Sequence, residues 1–174
     1  MCELLALSAN TPTDMTFSFR GLARRGGATG DHGDGWGLAS FDPSGGGVSI
    51  YREKEAAAFC PLAAQVADLN LKAHCSIAHI RKATKGEVAL ENCHPFHRRW
   101  GGQDWVFAHN GDIHESLPPG STYLPWAAPT VRRPSAGFSK PSAPPASAPT
   151  MNRACSSSWC VAPMSWRPWA SSTA

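Results

Sequence analysis

The chain has 174 residues, of which 42% are apolar, and its formal net charge at pH 7 is +3. This length is enough for one domain with a buried core, and so small a charge gives no reason to expect a nucleic-acid partner. No apolar run is long enough to cross a membrane, and the N-terminus lacks the features of a secretory signal peptide. We therefore expect a cytoplasmic protein without a membrane partner.

The first half of the chain predicts a helix between strands. Apolar spacing predicts a strand over 3–9 and a helix over 15–25, with Thr13 or Asp14 as N-cap and two glycines after its end. A glycine-rich loop over 30–35 then leads into a strand over 36–41. The sequence PSGGG at 43–47 predicts a hairpin turn, and a strand over 48–52 follows.

The next part predicts one helix and two further strands. We expect a helix over 59–69, a strand over 73–81 that runs into a loop over 82–86, and a strand over 104–109. The last strand ends at Asn110 and Gly111, a pair that is typical of a hairpin turn. Strands outnumber helices and follow each other in hairpins, which favours an α+β sandwich over a doubly wound sheet.

The composition changes after Glu115. All 13 acidic residues and all seven histidines lie at or before that position, whereas 11 of the 15 prolines lie from Pro118 onward. We predict a domain over 1–117 and a disordered tail over 118–174. The four tryptophans of the tail fit disorder poorly.

Cysteine chemistry points to the start of the chain. When the residue after the initiator methionine is small the methionine is normally removed, so Cys2 would carry both a thiol and a free α-amine. An amine with a pKa near ~7.7–8.0 can serve as the base for its own side chain. The alternative is that Cys2 is a small apolar residue at the start of a strand.

The other cysteines are predicted to be reduced and mostly buried, namely Cys60, Cys75 and Cys93. His94 and His97 beside Cys93 would form half of a metal site. A second pair of ligands at zinc spacing is missing, so we predict no metal.

Five segments, in this order, resemble the class II glutamine amidotransferase domain: Cys2 at the N-terminus, GDGWGLA at 33–39, HIRKATKG at 79–86, NCHPF at 92–96 and FAHNGDI at 107–113. The sequence is most similar to the stand-alone YafJ-like branch of that family. The resemblance implies an N-terminal-nucleophile hydrolase fold, an αββα sandwich of antiparallel sheets, here incomplete at its C-terminus. It implies no cofactor.

The resemblance also implies roles for individual residues. Cys2 would attack the side-chain amide of glutamine, releasing ammonia and leaving a glutamyl thioester that water hydrolyses. The Asn110 side chain and the Gly111 N–H would bind the oxyanion, and Arg81 would bind the substrate carboxylate in bidentate fashion. Five further residues are assigned to the substrate site: Thr84, Lys85, Gly35, Trp36 and His94.

One expected group is missing. Family members place an aspartate for the substrate ammonium in a segment similar to Gly-Ser-Thr-Asp-Ser after the HNG motif, but this chain has no acidic residue after Glu115. Codons for residues 126–131, read one base out of frame, can encode Val-Gly-Ser-Thr-Asp-Ser. We therefore hypothesise a single-base frameshift just after Pro125, with an authentic disordered tail as the alternative.

The sequence leaves three functions open. The chain is a glutaminase or amidotransferase, a hydrolase of another γ-glutamyl amide, or an inactive truncated remnant. The substrate is glutamine or a γ-glutamyl amide in the first two cases. The ammonia acceptor or synthase partner is not identified by any segment of the sequence.

Overall fold

The structure, a computed structural model, describes residues 1–100, 102–111, 155–156 and 159–163. In chain order its elements are β1 (Glu3–Asp14), α1 (Thr16–Arg25), β2 (Trp36–Phe41), β3 (Val48–Glu53), α2 (Pro61–Asp68), β4 (Lys72–Ile80), a 3₁₀ turn (Leu90–Asn92), β5 (Phe96–Trp100), β6 (Gln103–His109), β7 (Cys155–Ser156) and β8 (Trp159–Pro163). Neither helix of these residues has the length and apolar character needed to cross a bilayer.

The first sheet has the strand order β1-β4-β2-β3, and every neighbouring pair is antiparallel. Strand β1 is longer than the predicted 3–9, because pairing with β4 resumes at Thr13 after an irregular stretch that follows Ser8. The carboxylate of Asp14 then accepts a hydrogen bond of 2.7 Å from the Thr16 N–H. That contact lies at the turn from β1 into α1, whose N-cap is Met15 and not the predicted Thr13 or Asp14.

Side chains alternate across the first sheet, and one of its faces carries the helices. Leu38 and Ile80 on this face pack with Phe19 of α1 and Val66 of α2 in one apolar core. Both helices occupy the regions that the apolar spacing predicts. The second helix begins at Pro61, a residue that lacks an N–H and suits the first helical position.

The second sheet has the strand order β5-β6-β8-β7 and is also antiparallel. Val106 and Ala108 of β6 pack against Ala39 and Ile77 on the other face of the first sheet. The molecule is thus an α+β sandwich of two antiparallel sheets, which confirms the predicted class. Of the expected αββα layers, the described residues contain the two sheets and one helical layer.

Two short segments of the tail take part in the second sheet. Strand β8 pairs with β6, and β7 pairs with β8. These seven residues form regular strands, where we expected disorder. The rest of the tail, and with it the proposed frameshift segment at 126–131, lies outside the described residues.

Candidate active site

Cys2 lies at the end of the first sheet, beside the last residues of β4. Since Glu3 pairs with Ile80 in the antiparallel register, Cys2 is carried next to the chain that leaves β4. Its half-buried Sγ accepts a hydrogen bond from the Lys82 N–H at 3.4 Å and lies 3.5 Å from the Lys82 carbonyl oxygen. The main chain of Lys82 therefore holds the sulfur in one place.

Asp34 fixes the segment that contacts this sulfur. Its carboxylate accepts a hydrogen bond of 2.7 Å from the Ala83 N–H, one residue beyond Lys82. Its own N–H donates to the Arg81 carbonyl at 3.1 Å, and the Arg81 N–H donates to the Gly35 carbonyl at 2.8 Å. These bonds extend the pairing of β2 and β4 up to Cys2, so the position of the thiol depends on Asp34.

The guanidinium of Arg81 is turned toward the main chain of its own loop. The residue is only 6% exposed, and it donates to the Glu87 carbonyl at 3.0 Å and the Lys85 carbonyl at 3.2 Å. Longer contacts of 3.5 Å reach the carbonyls of Asp34 and Gly86. Arg81 thus organises the loop over 82–87. Its predicted bond to a substrate carboxylate stays a prediction.

Thr84 and Lys85, both assigned to the substrate site, are exposed on this same loop. An ion pair between Lys82 and Asp31 also joins the loop to the glycine-rich segment after α1. The loop is therefore anchored by Asp34 and Arg81 from inside and by a surface ion pair from outside.

Asn110 and Gly111 follow β6 at the end of the second sheet. Gly111 has a φ of +125°, a conformation that favours glycine, and it is exposed. The Oδ1 atom of Asn110 is buried and has no hydrogen-bond partner among the described residues. Buried amide oxygens rarely lack a partner, so this one marks Asn110 as a candidate site residue.

Three histidine rings connect the two sheet ends. His94 stacks edge-on against His79 of β4, with ring centroids 4.7 Å apart, and against His109 of β6 at 5.3 Å. Strand β4 ends one residue after His79 and β6 ends at His109. Because one ring touches both, the ends that carry Cys2 and Asn110 lie at the same end of the sandwich.

Burial favours the neutral form of two of these rings, His94 and His79. It lowers the pKa of His94 to about 3, and the neighbouring His109, Arg81 and Arg52 lower it in the same direction. Burial likewise holds the pKa of His79 well below its ordinary value, with further contributions from His94, His109 and Arg81. His94 therefore serves packing between the sheets at neutral pH, as an uncharged aromatic ring.

Trp36, which we assigned to the substrate pocket, points into the apolar core, and that assignment stays a prediction. Its side chain is fully buried and packs against Phe19, with ring centroids 5.5 Å apart. The alternation of β2 explains this, since Trp36 and Leu38 face the helices while Gly37 faces the second sheet. Gly35, with a φ of +119°, leaves room for the Cys93 sulfur, which a Cβ there would meet.

The described residues contain no group of three or more histidine, cysteine or acidic side chains placed to hold a metal ion. His97 is turned to Asp104, 2.7 Å from its carboxylate, whereas His94 lies in the histidine stack. None of the four cysteines whose side chains are described forms a disulfide, and Cys60 and Cys93 are buried as predicted.

Sequence reasoning missed the residues that position Cys2. Asp34 had a signal, an acidic residue between the glycines of a loop that leads into a strand. Lys82 acts through its main chain, which no side-chain pattern reveals. His32 lies near the N-terminus, where its Nε2 is 2.8 Å from the Met1 carbonyl oxygen.

A family model described as glutamine amidotransferases class-II matches residues 1–127. A Haemophilus influenzae protein named "Putative glutamine amidotransferase" is 52% identical over 118 residues, which cover 68% of this chain and 39% of that protein. The Escherichia coli protein named "Putative glutamine amidotransferase YafJ" is 47% identical over 123 residues, or 70% of this chain and 48% of that protein.

Among solved structures, a Pseudomonas aeruginosa protein described as a "predicted glutamine amidotransferase" is similar to this chain. It is 36% identical, with 74% of this chain and 50% of that chain covered and a TM-score of 0.48. The chain spans less than half the length of the two curated relatives above.

Proposed function

The chain belongs to the class II glutamine amidotransferases, and from this membership we propose that Cys2 hydrolyses the side-chain amide of glutamine. The family supports glutamine as the source of an amide nitrogen. The cysteine mechanism and the thioester are our proposal. The observation that carries it is the position of the Cys2 sulfur, fixed by the main chain of Lys82 at 3.4 Å next to the buried Arg81.

Removal of Met1 prepares the nucleophile. Met1 is 79% exposed, which leaves it accessible, and its departure frees the α-amine of Cys2. The same step releases His32 from the Met1 carbonyl. The free amine then accepts the thiol proton, and the sulfur attacks the amide carbon.

The proposed reaction has two steps, formation of the thioester and its hydrolysis. The bond from Sγ to the amide carbon forms, the tetrahedral oxyanion collapses, and the C–N bond breaks as the nitrogen takes a proton and leaves as ammonia. Water then attacks the glutamyl thioester, which releases glutamate and returns the proton to Cys2. The donors for the oxyanion are the Asn110 side chain and the Gly111 N–H, each typically worth ~2.7–4 kcal/mol in such sites.

The loop over 82–87 is the proposed substrate-binding segment. Arg81 would bind the substrate carboxylate by exchanging contacts with the carbonyls of Lys85 and Glu87, since a carboxylate is the stronger acceptor. Thr84 and Lys85 are exposed on the loop and would close over the substrate. Gly35, whose carbonyl accepts a hydrogen bond from the Arg81 N–H, would border the same site. His94 supports this end of the sandwich through its ring contacts.

The tail bears on whether this chain is active. We propose that residues after Pro125 are translated out of frame, and two observations support this. The family match ends at residue 127, and no acidic residue follows Glu115 to bind the substrate ammonium. The second candidate function, an inactive remnant, follows from the same observations.

The first test compares ammonia release by the present chain, by a frame-restored version, and by their Cys2→Ala and Cys75→Ala variants. We expect the frame-restored protein to release ammonia from glutamine and the present chain to release none. Cys2→Ala should lower the rate at least ~10³-fold, whereas Cys75→Ala, which changes a cysteine of β4 outside the proposed site, should keep it. Resequencing of the codons for residues 124–130 tests the frameshift directly.

Two results would overturn the proposal. Activity in the Cys2→Ala variant would refute the nucleophile, and an unshifted gene whose present chain hydrolyses glutamine would refute the frameshift. A frame-restored protein that cleaves other γ-glutamyl amides but not glutamine would identify the second substrate class. The proposal names no ammonia acceptor or synthase partner, because the chain covers only part of the length of its relatives.

A further inference from the structure

A cleft of about 440 Å³ opens at the edge of the sandwich, where edge strand β3 of the first sheet meets edge strand β5 of the second. It is lined by Ile50, Arg52, Leu90, His97 and Arg98. None of these residues belongs to the proposed amide-hydrolysing site. The volume falls within the range of clefts that hold small organic ligands.

Strand register brings the cleft residues together. Ile50 pairs with Ala39 and Arg52 with Gly37, so both side chains of β3 point toward the second sheet. Gly37 makes this possible, because a Cβ there would come within 2.8 Å of Arg52 Cγ. The cleft is therefore built into the pairing of the sheets and does not depend on a surface loop alone.

Two guanidinium groups share this space. Arg52 donates to the Cys93 carbonyl at 3.0 Å, and Arg98 donates to the His97 carbonyl at 2.7 Å. Burial lowers the pKa of Arg52, the Cys93 thiol opposes this, and the nearby Arg98 cation lowers it further. Each guanidinium carries five N–H donors in a fixed planar fork, which suits the two oxygens of an acidic group.

The remaining walls limit the kind of anion. Among the residues that the structure describes, none of the five lining the cleft is acidic, and the carboxylate of Asp104 on β6 contacts His97 Nε2 at 2.7 Å. Leu90 is 42% exposed and Ile50 is half-buried, so together they offer an apolar surface beside the two cations. An inorganic anion would leave that surface in water.

We propose that this cleft binds a small organic anion whose carboxylate or phosphate contacts Arg52 and Arg98 and whose apolar body packs on Ile50 and Leu90. Guanidinium forks match the geometry of both acidic groups. This binding site is separate from Cys2 and does not depend on amide hydrolysis.

The test is calorimetric titration of the whole chain with phenyl phosphate, benzoate, inorganic phosphate and the neutral benzyl alcohol. We expect saturable one-to-one binding of phenyl phosphate or benzoate, and whichever binds more tightly identifies the acidic group. Inorganic phosphate and benzyl alcohol should each bind at least about tenfold more weakly. Equal binding of benzyl alcohol, or no saturable binding of either organic anion, would overturn the proposal.

A matched pair of variants locates the site. Arg98→Gln should weaken binding of the organic anion about tenfold or more, since it removes a charged donor from the cleft. Arg99→Gln is the control, because it removes the same charge from an exposed neighbour on the same strand that does not line the cleft. Equal losses in both variants would mean nonspecific attraction and would refute the site. The Cys2→Ala variant should bind the anion unchanged, which separates this result from the test of hydrolysis.

Discussion

The two sheets differ in how completely they are built. All four strands of the first sheet lie between residues 3 and 80, and both of its faces are covered, one by α1 and α2 and the other by the second sheet. The second sheet takes two strands from residues 96–109 and two from the tail, with β8 paired to β6. Its inner face contributes Val106 and Ala108 to the core.

This comparison shows that the proposed site depends on both sheets, although within the described part of the chain only the first has a large apolar core of its own. Cys2 and Arg81 belong to the end of the first sheet, while Asn110 and Gly111 follow the second. His94 joins them by its contacts with His79 and His109. A change can therefore weaken the first sheet, the junction or the proposed oxyanion donors separately.

The largest expected effect on stability lies in the core of the first sheet. Phe19 is fully buried between helix and sheet, so Phe19→Ala should lower the free energy of unfolding by about 3–5 kcal/mol. Phe17, on the same helix, is 86% exposed, and Phe17→Ala should change it by less than about 0.5 kcal/mol. Urea unfolding of both variants measures the difference. Similar losses would contradict the assignment of the core to this face.

A smaller effect is expected at the junction between the sheets. A Cβ at Gly37 would collide with the His94 carbonyl and lie 2.9 Å from Pro95 Cδ, so Gly37→Ala should cost about 1–3 kcal/mol. Gly21 has open space in α1, and Gly21→Ala should instead stabilise the chain by up to about 1 kcal/mol. Thermal unfolding distinguishes the two. Unchanged thermal stability in Gly37→Ala would show that the segment around His94 does not pack against β2.

The third effect depends on pH. The pKa of His94 is about 3 in the folded chain, below its ordinary value, so between these values the unfolded chain binds the proton and the folded chain does not. Stability should therefore fall as the pH drops below about 6.5, by roughly 2 kcal/mol for His94 at pH 5. His79 shifts in the same direction.

Urea unfolding at pH 7 and pH 5 tests this contribution. Between pH 7 and pH 5 the His94→Phe variant should lose about 2 kcal/mol less free energy of unfolding than the unchanged chain, because the titrating ring is gone. Phe17→Ala, which leaves every histidine in place, should show the full loss. An unchanged acid dependence in His94→Phe would refute the role of this ring.

Local sequence determined most of the first sheet and its helices. The strand predicted over 36–41 is β2 without change, and the helix predicted over 15–25 is α1 from Thr16. These segments have clear apolar spacing and clear stop signals. Strand β5 was not predicted, because the sequence FHRRW alternates poorly and acquires its strand form by pairing with β6.

In the site, too, some features followed from the sequence and others from the tertiary structure. The sequence alone indicated Cys2, Arg81, Asn110 and Gly111, because their motifs occur in a specific order that resembles one family. Where side chains point was decided by the tertiary structure. Trp36 faces the helices because strand pairing sets its side, and Arg81 binds the carbonyls of its own loop because burial requires partners for its donors.

The support of Cys2 by Asp34 joins residues that are far apart in the chain, and it exists only once β2 and β4 have paired. The cleft at Arg52 and Arg98 likewise arises where two edge strands meet. Sequence therefore determined the family of this protein and the residues proposed for its chemistry. Packing between the sheets decided which groups hold that chemistry in place, because contacts over long separations follow from register and burial and not from local pattern.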